Sequence, residues 1–178
     1  MNRQLPVFTY AIVVIASVSL SISAQKKPDA VTLSIAKIVK AKTEVRGYVS
    51  DIKVKFSSKP DSPELAQAKA KYRTALGDYN AWVAIVKSAI ANGKTQDIQS
   101  DTTYSELGEK AGKEANDFVS YAQSQTGQSK GIIVVFSGLI DVGFKIWNGI
   151  SDRKAKERKE RSEQFEKDCI WSQWEDIK

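Results

Sequence analysis

The chain has 178 residues, 42% of them hydrophobic, with 27 lysines and arginines against 21 aspartates and glutamates, one cysteine and no histidine. Without an imidazole, the Ser-His and Cys-His nucleophile pairs, the usual zinc sites and a charge switch near neutrality are excluded. The length suits one domain, and the apolar and charged fractions are those of a folded chain rather than a disordered one.

Residues 1–24 read as a secretory signal peptide: Arg3, then the uncharged run Val7 to Leu20 (VFTYAIVVIASVSL), then small residues up to Ala24 ahead of Gln25-Lys26-Lys27. The alternative is an uncleaved N-terminal membrane anchor, since the uncharged stretch from Val7 to Ala24 approaches the ~20 residues that span a bilayer. Removing these 24 residues, with Arg3 and no acid among them, leaves 154 residues and a net charge of +5. The expected location is periplasmic or secreted, where nucleic acid is not an expected partner and an excess of that size does not call for one.

Residues 25–30 read as a flexible lead. From there Val31, Ile35, Ile38, Lys42, Val45, Val49, Ile52 and Phe56 recur at alternating steps of four and three, which predicts a helix with one lysine set in an apolar seam. Ile52, Val54 and Phe56 also fit the period of a short strand. Pro60 and Pro63 interrupt the chain, because each forces its predecessor out of helical space. Ser62 as N-cap, Pro63 at the first helical position, Glu64 at the positive end of the dipole and Gly93 as stop then bound the next helix. Its seam is Leu65, Ala68, Tyr72, Ala75, Tyr79, Trp82, Val86 and Ala89, flanked by Leu76, Val83 and Ile90. A rod of about 45 Å needs partners of similar length to cover that seam.

Thr103 with Glu106 spells a capping box for a third helix ending before Gly127, with Tyr104, Leu107, Ala111, Phe118 and Tyr121 as its apolar row. Gly108, Ala111, Gly112 and Ala115 give that helix a small-residue stripe that admits a close neighbour. The remainder contains no proline and reads as one long helix opened by Ser129. Its first part, Gly131 to Ile150 (GIIVVFSGLIDVGFKIWNGI), carries only Asp141 and Lys145 as charges. Ser137, Asp141, Lys145 and Asn148 share an arc of about 80°, a buried polar stripe on the expected central, driest helix. Asp141 and Lys145 are spaced for an i,i+4 ion pair.

The predicted fold is therefore all-α: an antiparallel bundle of about four long helices over residues 31–178, with a charged helical extension over about 152–178 that runs past the bundle or bends back. No cofactor or metal motif is present, and no reaction is specified. The candidate function is a non-enzymatic interaction module that offers Arg153, Lys154, Lys156, Arg158, Lys159 and Arg161, with Trp171 and Trp174, to an unknown protein partner. The alternative is a membrane-associated or membrane-active protein using residues 131–150 and the basic run 153–161 at an anionic surface. Cys169, or helix packing, offers a route to a homo-oligomer. The plainer reading of Cys169 is a buried residue on the face of Phe165.

Overall fold

The computed structural model describes residues 28–93, 98, 100–128 and 136–178. The signal segment 1–24 and the proposed cap Ser129 lie outside the described residues. Among these residues there are five helices and no strand: α1 (Ala30–Lys55), α2 (Pro63–Asn92), α3 (Thr102–Thr126), α4 (Leu139–Ile150) and α5 (Ala155–Cys169). The all-α expectation holds. Residues Ile52 to Lys55 close α1 as helix, not strand, leaving Val54 exposed while Ile52 and Phe56 are buried.

Local chemistry sets most of the ends. Asp29 accepts the Thr32 N–H at 2.7 Å to open α1, and Ser62 accepts the Leu65 N–H at 3.2 Å to open α2. Gly93 and Gly127 close α2 and α3 with φ of 64° and 71°, a region that a Cβ disfavours. At α3 the expected capping box does not form. Asp101, a stronger cap than threonine, takes the Tyr104 N–H at 3.2 Å and moves the start so that Thr103 is already helical.

The apolar seams then decide the packing. All eleven seam and flanking positions read from α2 are buried, and α2 packs along α3 and α5. The small stripe of α3 seats the segment leading into α4: a Cβ on Gly112 would stand 2.3 Å from the Phe136 carbonyl oxygen, and one on Gly108 2.8 Å from the Ile140 side chain. Tyr104 donates its hydroxyl hydrogen to the Ile140 carbonyl at 2.7 Å, against Gly143. α4 covers α3 and α1 with Leu139, Val142, Ile146 and Ile150.

The C-terminal third departs from the single long helix. Asn148, Gly149, Ser151 and Asp152 are all weak helix formers within five positions, and the helix stops at Ile150. The chain turns at residues 151–154 and restarts as α5, which folds back on α2 through buried Phe165 and Cys169 and a 2.6 Å Lys87–Glu166 ion pair. The bending alternative is thus the one adopted. The expected helical extension to residue 178 is corrected as well: helix ends at Cys169, and residues 170–178 run as a non-helical strap between α1 and α2.

That strap is part of the interior. Trp171, Trp174 and Ile177 are buried. Trp171 stacks on Tyr79 at 4.3 Å between centroids and on Tyr72 at 6.0 Å, while Trp174 meets Tyr72 edge-on at 5.5 Å. A segment outside regular structure has no ladder for its backbone, so side chains of the two flanking helices supply partners. Asn80 donates its amide to the Trp171 carbonyl at 3.1 Å and accepts the Trp171 N–H at 2.8 Å. Tyr72 donates to the Ser172 carbonyl at 2.7 Å, Tyr79 to that of Cys169 at 3.0 Å and Lys42 to that of Asp168 at 2.9 Å. Lys53 donates to the Ile177 carbonyl and Ser50 to that of Lys178. The lysine in the α1 seam therefore has a structural task.

Truncating the strap's anchor removes a packed indole, so Trp171→Ala is expected to lower unfolding free energy by about 3–5 kcal/mol. Asn80→Ala, which strands a backbone N–H and a carbonyl, is expected to lower it by about 1–3 kcal/mol. Urea titration followed by circular dichroism checks both, and a Trp171→Ala loss below that for Asn80→Ala would contradict the assignment of the anchor.

Candidate interaction site around α5

The segment singled out for its charge divides into three environments. Trp171 and Trp174 face the core and offer no surface to a partner in this conformation, contrary to the expected role. Arg158 points inward too: its guanidinium donates to the Arg153 carbonyl and, at 3.4 Å, to that of Ala91, and its Nε lies 2.6 Å from where a Cβ on Gly93 would stand. It fastens the turn before α5 to the C-terminal end of α2, where a cation is favoured. Lys154, Lys156 and Lys159 form the second environment. All three are exposed and carry no ion pair among the described residues. Lys156 and Lys159 are three apart on α5 and share its outer face.

Arg153 and Arg161 belong to the third environment, a cleft of about 240 Å³ between the start of α1 and the α4–α5 corner. Val31 and Ile35 of α1, Ile150 of α4 and Phe165 of α5 form its apolar floor, and Asp29, Gln164 and Asp168 join the two arginines around it. α4 and α1 approach closely beside it: a Cβ on Gly149 would lie 2.0 Å from the Val31 side chain. Arg153 is braced by Glu157 one turn on. The Thr32 backbone N–H, then its side chain, then the fields of Arg153 and Arg161 hold the Asp29 carboxyl below the usual carboxylate range.

The polar stripe of α4 is exposed, not buried. Ser137, Asp141, Lys145 and Asn148 all face solvent, because α4 is short and lies on the rim of the bundle with its apolar side toward α3 and α1. Asp141 and Lys145 make the expected i,i+4 ion pair at 2.5 Å, with both side chains more than half exposed, a setting in which such a pair contributes little to stability. The centre of the molecule belongs instead to the aromatic seam of α2. No helix among the described residues is long and apolar enough to cross a membrane.

Cys169 is buried beside Phe165, and its surroundings push the thiol up to about 12, chiefly by desolvation. In this conformation its sulfur is not at the surface, which is where a disulfide to a second chain would have to form. No family model, curated protein or solved structure matches the chain.

The sequence marks Ile35 only as a member of the α1 seam, and marks neither Asp29 of the cleft nor Asn80 beneath the strap. Asn80 had a local signal, a polar amide beside a buried seam in mid-helix. Asp29 has none, and nothing in the α1 seam marks Ile35 as a cleft residue, because what brings both to the arginines is a corner that forms only when α5 folds back.

Burial also raises the phenols of Tyr72, Tyr79 and Tyr104 above their ordinary range. In the unfolded chain the thiol and phenols ionise near 9 and 10, so above that range the unfolded state binds fewer protons than the folded one. Stability is therefore expected to be fully present below about pH 9 and to decline steadily above it. Urea midpoints measured at pH 7 and about pH 10.5 check this, and an unchanged or higher midpoint at the alkaline pH would contradict it. Native Cys169 is likewise expected to resist a thiol reagent that labels it promptly in urea.

Proposed function

We propose that the chain is an exported, non-enzymatic interaction module that docks an acidic protein surface on the outer face of α5. Lys154, Lys156 and Lys159 carry this reading: they are exposed, unpaired and mounted on a helix whose opposite side is fixed to the bundle by Phe165, Cys169 and the Lys87–Glu166 pair. Their exposed ammonium groups are free to meet carboxylates of an acidic partner and to steer the encounter. The rigid mounting limits the backbone ordering that association would otherwise require.

Export is supported by the apolar run of residues 7–20 behind Arg3. The absence of an enzymatic role is supported by the lack of histidine and by a sole cysteine that is buried and held protonated. The membrane alternative loses support from α4, whose apolar side is already occupied by α1 and α3.

A photo-crosslinking residue at Glu163, one turn beyond Lys159 on the same face, is expected to capture a protein partner in the native cell envelope. The triple variant Lys154→Gln, Lys156→Gln, Lys159→Gln is expected to lose that adduct while keeping its urea midpoint. An undiminished adduct in the folded triple variant would reject lysine docking. Salt-sensitive flotation of the wild type with anionic vesicles, in place of a protein adduct, would move the assignment to a membrane surface.

A further inference from the structure

The cleft beside the lysine face has a chemistry of its own. Its floor is apolar, with Ile150 and Phe165 buried and Ile35 half-buried. Around that floor stand two guanidinium and two carboxylate groups, from Arg153, Arg161, Asp29 and Asp168. The four charges sum to zero, yet they do not neutralise one another by contact. Arg153 pairs with Glu157 and not with either aspartate, and Arg161 forms no ion pair or hydrogen bond among the described residues. Asp29 and Asp168 each spend one oxygen within their own helical region, on the Thr32 N–H and the Gln164 amide. Opposite charges thus face a shared space across an apolar base, separated by more than direct contact.

A molecule complementary to such a space carries both an anion and a cation on an apolar body. Its size is bounded as well, because about 240 Å³ falls below the ~300–1,000 Å³ of pockets that enclose drug-sized ligands. We propose that this cleft is a binding site for a small apolar α-amino acid, its carboxylate received by Arg161 with Arg153, its ammonium by Asp29 and Asp168, and its side chain laid on Ile35, Ile150 and Phe165. Arginine suits the first role because its planar fork binds a carboxylate through two parallel hydrogen bonds. An aromatic or branched aliphatic side chain gains most from the floor.

The site is independent of the docking surface, since it uses neither Lys154, Lys156 nor Lys159. Isothermal titration of the protein as purified from its host with L-phenylalanine, hydrocinnamate and phenethylamine tests it. These probes carry both charges, the anion alone and the cation alone on one phenyl body. Saturable binding is expected for phenylalanine, with each half-charged analogue weaker by about tenfold or more, the scale of one lost charge-assisted hydrogen bond. Arg161→Gln, at an exposed position, is expected to weaken phenylalanine by a similar factor with an unchanged melting temperature. Thr32→Phe keeps the backbone N–H that serves the Asp29 cap, and is expected to abolish binding by filling the rim. The lysine triple variant is expected to bind phenylalanine normally, which separates failure of this site from failure of the docking surface. No saturable heat at about 1 mM phenylalanine, equal affinity for hydrocinnamate, or full affinity in Arg161→Gln would each overturn the proposal.

Discussion

The structure depends on the insertion of Trp171 between α1 and α2. These two helices make little direct contact with each other, and the space between them is filled by the strap that Trp171 anchors. Its indole stacks on Tyr79 and Tyr72 and meets Phe136 edge-on at 5.8 Å between centroids. One side chain thereby joins α2, the strap and the entry to α4. Stacked and edge-on rings contribute beyond the area they bury, so this cluster adds geometric selection to hydrophobic attraction. Two tyrosines of the cluster also donate their hydroxyl hydrogens to backbone, Tyr72 to the Ser172 carbonyl of the strap and Tyr79 to the Cys169 carbonyl where α5 runs into it. The residues that fill the core are thus also the ones that satisfy the backbone laid across it.

A second constraint acts on the other side of α2. Gly108 and Gly112 let α3 receive the Phe136–Ile140 segment at distances that no Cβ permits, and Gly143 makes room for the Tyr104 ring that bonds to Ile140. Close approach increases the number of atoms in van der Waals contact and leaves little room for rearrangement. α4 is short, and its polar residues contribute little to holding it. Its position rests on these small-residue contacts and on its four buried apolar side chains.

How much of this was legible depended on whether the determining interaction was local. The α2 helix was readable in full, because Ser62, Pro63, Glu64 and Gly93 act within a turn of its ends and its seam repeats without interruption. The α3 start was displaced by two residues because Asp101 competes with Thr103 for the same N–H groups, a contest in which aspartate is the better acceptor. The break after Ile150 left a trace in Asn148, Gly149, Ser151 and Asp152, but the continuing absence of proline outweighed it. The strap had the weakest signal. Its aromatic spacing, Trp171 to Trp174 to Ile177, is also helical spacing, and only the partners waiting on Asn80, Tyr72 and Lys53 make an extended backbone the better solution. For the same reason the sequence alone does not show that the two tryptophans are interior: an indole near the end of a charged helix carries no mark of which way it faces.

Folding back at residues 151–154 is also what gives α5 its several roles. A straight helix through this region would have exposed all six basic residues on a solvated rod, where charge repulsion and fraying oppose a defined arrangement. The corner instead sorts the six residues into three environments. Arg158 turns inward to the carbonyls at the end of α2, Arg153 is braced by Glu157, and Arg161 is carried to the start of α1, where Asp29 already sits because the helix needed a cap. The lysines are left outside by helical periodicity, since Phe165 and Cys169 claim the inner face. Local requirements of folding, a cap for α1 and a stop for α2, therefore place charged groups of both signs around one apolar corner. The three lysines keep their own surface, so the two functions proposed for α5 can be altered independently.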